Sequence, residues 1–233
     1  MKYRITGAIL IIILLLGMGI FFYPIVSDCW NDLYASKVIA EYTEEVENIE
    51  ANQYEELWKD VEKFNQKLAE KSYSTYLTEM EWNEYNRLLN VNDSGIIGYL
   101  EIDKLNTWLP VYHGTDESVL QEAAGHMEWT SLPAEMESCH CVIAAHSGLP
   151  SSQLFSKLYK LQTGDEFVLH ILNKKLTYKV DQIKTVLPGD ISKLQIIRDE
   201  NYCTLVTSTP YGVNTHRLLV RGILSDVSLQ KEL

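Results

Sequence analysis

Apolar residues run without a charge from Ile5 to Ser27, and the centre of the run, Ala8 to Leu16, is almost purely isoleucine and leucine. About twenty such residues span the hydrocarbon core of a bilayer. Lys2 and Arg4 precede the run and Asp28 and Asp32 follow it. That asymmetry puts the N-terminus in the cytoplasm and everything after Ser27 outside the membrane. A cleaved signal peptide is the competing reading, but the run is overlong for one and no A-x-A-like site follows it. A lipoprotein reading through Cys29 meets acidic Asp28 where a small residue is expected. The segment therefore reads as an uncleaved anchor with the lipid bilayer as partner.

From Asp28 to about Glu70 there is no glycine or proline. Apolar positions fall at Ile39, Tyr42, Val46 and Ile49, then at Tyr54, Leu57, Val61, Phe64 and Leu68. Steps of three and four are the helix signature. The longer step from Ile49 to Tyr54 predicts a break near Glu50–Gln53. A stalk or flanking helix, packing one stripe and wetting the other, fits this pattern. A regulatory or partner-binding helix is the sharper alternative.

After Asn90 the period changes. Short apolar or alternating runs at 98–102, 107–111, 141–145, 166–171, 176–186, 202–207 and 217–223 predict strands, divided by turn signals such as Thr163-Gly164-Asp165 and Pro188-Gly189-Asp190. Short helices fit 117–124 and 153–158. The expected fold class is mainly β: a closed barrel of about seven or eight strands with short helices, preceded by N-terminal helices and one transmembrane helix. The expected division is 1–27 tip and anchor, 28–90 helical extension, 91–225 barrel and 226–233 tail.

Net charge is −12 and the isoelectric point is near 4.9. Nucleic-acid surfaces are basic, so no nucleic-acid partner is expected. The acid gathers between Glu41 and Glu84 and reads as a solvated helix face. Of the four cysteines, Cys139 and Cys141 stand two positions apart, about 6.5 Å along one strand. That is the long end for a bridge, and Cys29, Cys139, Cys141 and Cys203 read as ordinary thiols. No metal-ligand spacing appears, and no cofactor is expected.

His146 follows an apolar strand and opens a loop, a place where catalytic groups are often mounted. Arg217 begins the strand after the turn at Thr209-Pro210-Tyr211-Gly212. Taken singly, a structural histidine and an exposed salt-bridging arginine are the ordinary readings. The combination is more specific. Thr204-Leu205-Val206-Thr207-Ser208 matches T-L-x-T-C except at its last position, with Arg217 nine residues on and His146 about sixty before. With Gly125-His126, Thr130-Ser131-Leu132-Pro133 and Leu109-Pro110-Val111-Tyr112-His113-Gly114-Thr115, the stretch from Gly98 to Gly222 resembles the sortases, cysteine transpeptidases of Gram-positive cell surfaces, and most of all their class C, which assembles pili.

The resemblance implies cleavage of an LPxTG-like sorting signal between Thr and Gly and transfer of the acyl group to an amine, of a pilin lysine or a cell-wall precursor. The implied partners are sorting-signal proteins, pilin subunits among them. The implied catalytic set is Ser208 at the nucleophile position, His146 as acid and Arg217 as oxyanion donor. Thr207, Tyr211 and His216 are further candidates for the substrate groove, although His216 adjoins Arg217 and is expected on the other strand face. Cys203, five residues before Ser208, is expected on the opposite face as a buried thiol.

Ser208 stands where the family has cysteine. A serine hydroxyl has no ionised fraction at neutral pH and needs a base oriented by a carboxylate, and no acid is evident in the sequence near His146. Negligible turnover is therefore expected. Ser208 reads as an engineered Cys→Ser change, as the mark of a natural pseudoenzyme, or as the nucleophile of a true Ser-His hydrolase. Two further departures stand out. The interval 72–92 has no proline, hence no Asp-Pro-aromatic lid, with Tyr73, Tyr76, Trp82 and Tyr85 read mainly as helix packing. After Gly222 the tail is too short and polar to be a second anchor. Access is instead expected to be limited by the N-terminal helices.

Overall fold

The computed structural model describes residues 2–71, 76–147, 149 and 152–230. Tyr73, Gly148, Pro150 and the last three residues of the tail lie outside them. Helix α1 (Lys2–Glu47) is continuous through the apolar run and past Asp28. It is long and apolar enough to cross a membrane, and the side chains from Ile9 to Val26 are largely exposed, as a lipid-facing segment requires. The chain breaks at 48–50 and resumes as α2 (Ala51–Glu70), where Glu50 and Gln53 form a capping box. A short α3 (Glu79–Arg87) starts at Thr78, whose hydroxyl accepts the Glu81 N–H.

Eight strands then close a barrel in the order β1-β2-β3-β4-β7-β8-β6-β5. They are β1 (Ile96–Ile102), β2 (Thr107–His113), β3 (Ala124–His126), β4 (Cys139–Ala144), β5 (Glu166–Ile171), β6 (Lys174–Val186), β7 (Asn201–Thr209) and β8 (His216–Leu229). Pairings are antiparallel except β2 with β3 and β4 with β7, which are parallel. Side chains alternate inward and outward along each strand. Cys141, Ile143, Cys203, Leu205, Leu218 and Val220 point into the core, while Val142, Ala144, Val206 and Leu219 form a separate apolar cluster on the outer face.

The helices complete this core. Val38, Tyr42 and Val46 of α1 pack on Ile96 and Tyr99. Tyr42 Oη donates to Ile97 O at 3.1 Å and accepts the Leu172 N–H at 2.9 Å. From α2, Trp58, Val61 and Phe64 join the barrel core, and buried Asn65 makes two 2.8 Å bonds to the Leu132 main chain. Tyr85 of α3 is fully buried between His113 and His126, with Trp82 tilted against it.

Of the two expected short helices, one is shorter than the sequence suggests and the other is replaced by turns. Residues 117–124 hold only the one-turn α4 (Glu117–Leu120) before the chain enters β3. Gly125 explains the early exit: a Cβ there would lie 2.2 Å from Gly114 O, so backbone meets backbone at that point. Residues 153–158 form turns that lead into a 3-10 turn at Leu158–Lys160.

Candidate active site

Strand alternation decides which residues share the outer face. Val142 and Ala144 face outward on β4, so His146, two residues on, continues their row. Val206 faces outward on β7, and so does Ser208; Leu219 does so on β8, and so does Arg217.

Register aligns the three. β4 and β7 run in parallel with Ala144 opposite Val206. The pairing extends past the end of β4: the Ala145 N–H donates to Val206 O at 3.2 Å, and the Thr207 hydroxyl donates to Ala145 O at 2.8 Å. Carrying this register two residues further sets His146 beside Ser208. Across the antiparallel β7–β8 pair, Ser208 lies directly opposite Arg217. Neighbouring strands are about 5 Å apart. His146, Ser208 and Arg217 thus form one row across three adjacent strand ends, above an apolar floor of Val142, Ala144, Val206 and Leu219.

Two members of the row, His146 and Arg217, are held by contacts outside it. The His146 carbonyl accepts the Phe155 N–H at 3.0 Å, which closes the loop after β4. The ring contacts a carboxylate, with Nε2 at 3.3 Å from Glu117 Oε1 of α4. Glu117 is the acid that the sequence around His146 did not reveal. Its carboxyl is held below the usual range by the Gln121 amide and then by His146. Arg217 Nη1 donates to Asn214 O at 3.3 Å and His216 O at 3.1 Å. Among the described residues no carboxylate lies within ion-pair distance of Arg217. Its charge therefore faces the site unneutralised, and Ser208 beside it is half-buried.

The other candidates separate. Thr207 is buried, with its hydroxyl turned to Ala145 O, so it ties β7 to β4 and is taken out of the groove. Tyr211 is exposed in the β7–β8 turn, near the row in sequence and open to a ligand. His216 lies opposite Thr209, one position off the row, and its Nδ1 is 3.0 Å from Thr215 Oγ1. Cys203 is buried on the inner face, opposite Cys141 in register. Burial pushes the Cys139 thiol up to about 12 and raises the Cys141 thiol well above its ordinary value, which makes them inert packing groups. All four cysteines are unbridged. Among the described residues no group of three or more His, Cys, Asp or Glu side chains is arranged to hold a metal ion.

A cation, an imidazole and a hydroxyl in one row over an apolar floor suit an acyl transfer. In general an imidazole can move a proton and a guanidinium can meet a developing oxyanion.

Comparison with known proteins places the chain in a family. The Sortase domain family model matches residues 100–225. Sortase C1 of Streptococcus agalactiae is similar in structure, with TM-score 0.79 and 44% identity over 82% of this chain and 98% of that one. Sortase C of Clostridium perfringens, solved with the C-terminal cell wall sorting motif, gives TM-score 0.73 and 41% identity over 82% of this chain and 100% of that one. Sortase D of Bacillus subtilis is 28% identical over 115 residues, an alignment that takes in 49% of this chain and 55% of that protein.

Proposed function

The chain belongs to the sortase family, and from that premise we propose that it is a membrane-anchored, class C transpeptidase scaffold whose nucleophile position is occupied by serine. The observation that carries the reading is the single cross-strand row of His146, Ser208 and Arg217. Residues 1–27 are the proposed anchor, with the barrel on the outer side of the membrane.

With a cysteine at position 208, the thiolate attacks the Thr carbonyl of an LPxTG-like sorting signal. The C–S bond forms, the electron pair moves to the carbonyl oxygen, and Arg217 stabilises that oxyanion. Collapse breaks the C–N bond, and His146 gives its proton to the leaving glycine amine. An acceptor amine then attacks the thioester; the new amide forms, the thiolate leaves, and the amine's proton returns to His146. The higher identity to sortase C structures favours a pilin lysine over a cell-wall precursor as acceptor.

Ser208 stops this cycle at its first step, because a hydroxyl lacks the thiolate fraction that a thiol has near neutral pH. Losing a nucleophile costs on the order of 10⁶ in kcat, the scale seen when the serine of subtilisin is removed. The chain with Ser208 then binds the signal and releases it uncut.

The test is a transfer assay with a sorting-signal peptide, using either a lysine-bearing pilin domain or a cell-wall peptide as acceptor. The Ser208→Cys variant is expected to join the signal to the pilin lysine. Transfer to the cell-wall peptide alone would assign a housekeeping role. Failure of that variant with both acceptors would leave a non-catalytic binding module.

A further inference from the structure

We infer that Glu117 is the positioning residue of His146, fixing from α4 which ring nitrogen the site presents. The inference rests on the proposed role of His146 and adds a residue outside the motifs of the strand row.

Two donors converge on one oxygen. Glu117 Oε1 accepts from Gln121 Nε2 at 3.2 Å, one turn along, and lies 3.3 Å from His146 Nε2. Gln121 thus holds the carboxylate, and the carboxylate holds the ring. The support beneath is firm. Asp116 O accepts the N–H groups of Val119 and Leu120, each at 3.0 Å. Leu120 packs on the outer-face cluster that floors the row. The same apolar surface therefore seats α4 and carries the site.

The chemistry follows from the ring. An imidazole that donates Nε2–H to a carboxylate has Nδ1 left to exchange a proton with the reactants. One nitrogen is committed, and the other makes no hydrogen bond among the described residues. The Glu117 side chain is 70% exposed, so water competes for it, and its pull is that of a surface ion pair. That is enough to orient a ring. It falls short of the buried acid that turns a serine into a nucleophile, which agrees with an idle Ser208.

The test uses the full chain in the Ser208→Cys form, with Glu117→Gln to remove the charge and Glu117→Ala to remove the contact. Two readouts are taken at low salt: the alkylation rate of the introduced thiol by iodoacetamide at neutral pH, and kcat and KM for a sorting-signal peptide. Both Glu117 variants are expected to alkylate about two- to five-fold more slowly, the scale of an exposed pair. The deficit should vanish near 1 M salt, where screening acts over about 3 Å. The loss in turnover should fall on kcat with KM unchanged, which a structural defect would not reproduce. Equal alkylation and equal kcat at low salt overturn the role of Glu117 and leave the transpeptidase reading intact. Slower alkylation with no peptide turnover in any variant supports Glu117 and overturns the transpeptidase reading instead.

Discussion

Arg217 gives its Nη1 to two main-chain carbonyls, and no carboxylate among the described residues answers its charge. Such a cation contributes little to folding and is available to a ligand oxygen. In the Ser208→Cys background, Arg217→Ala is expected to lower kcat/KM by about 10²–10³, the scale of a lost oxyanion donor, with the melting temperature unchanged. Arg217→Lys should recover part of the loss, because a point charge replaces the fork. Undiminished cleavage by Arg217→Ala would remove the arginine from the site. In the sequence, Arg217 and His146 were marked only by their spacing to the T-L-x-T-C-like run, since taken singly each has an ordinary structural reading. Glu117 was hidden because its contact with His146 spans 29 residues and depends on how two loops meet. Thr207 misled for the opposite reason: the motif names it, but its place on the inward row of β7 buries it.

At the scale of elements, α1 also reaches the loop beside the candidate site. Asp28, the first residue after the apolar run, accepts the Gln153 N–H at 2.9 Å and also bonds the Gln153 side-chain amide. Gln153, in the loop that follows His146, is thereby tied to α1 just past its apolar run. Asp28→Ala is expected to speed hydrogen exchange at the Gln153 amide about tenfold, the scale of one charge-assisted bond, with the strands unaffected. Unchanged exchange at Gln153 would mean that the tie carries no load. Removing the N-terminal helices cannot test whether they limit access, since it strips Tyr42, Trp58, Val61 and Phe64 from the buried core. The helices were legible from their steps of three and four, and most strands from their apolar runs. β3 was not, because Ala124-Gly125-His126 is too short to alternate and is a strand only by pairing with β2 and β4.

Over the molecule as a whole, buried histidines set the response to pH. Burial pushes His126 down to about 3 and His140 and His170 down to about 4, and it lowers His113 as well. The unfolded chain binds these protons below about 6.5, whereas the folded barrel takes them up only at lower pH. Their contribution is present above about pH 6.5 and is lost as the pH falls toward 4. Glu101, 2.6 Å from His170, acts in the opposite sense. Burial and Asp103 raise it to about 7, so its contribution is present below its unfolded value and lost as the pH rises through 7. Four histidines outweigh one carboxyl. Denaturant midpoints are expected to drop steeply between pH 6.5 and 4.5, with a slope of about 1.4 kcal/mol per pH unit for each net proton. A flat profile there would mean that the histidines titrate normally in the fold.

At this same scale, the proposal is that the row of His146, Ser208 and Arg217 on the barrel would transfer acyl groups with a cysteine at position 208. The intact mass of the full chain after incubation with an LPxTG-type peptide probes this directly, for the protein with Ser208 and for Ser208→Cys. An acyl adduct or cleaved peptide is expected with the cysteine variant, and unmodified protein with Ser208. An adduct on the Ser208 protein would contradict this, because the hydroxyl would then be a working nucleophile.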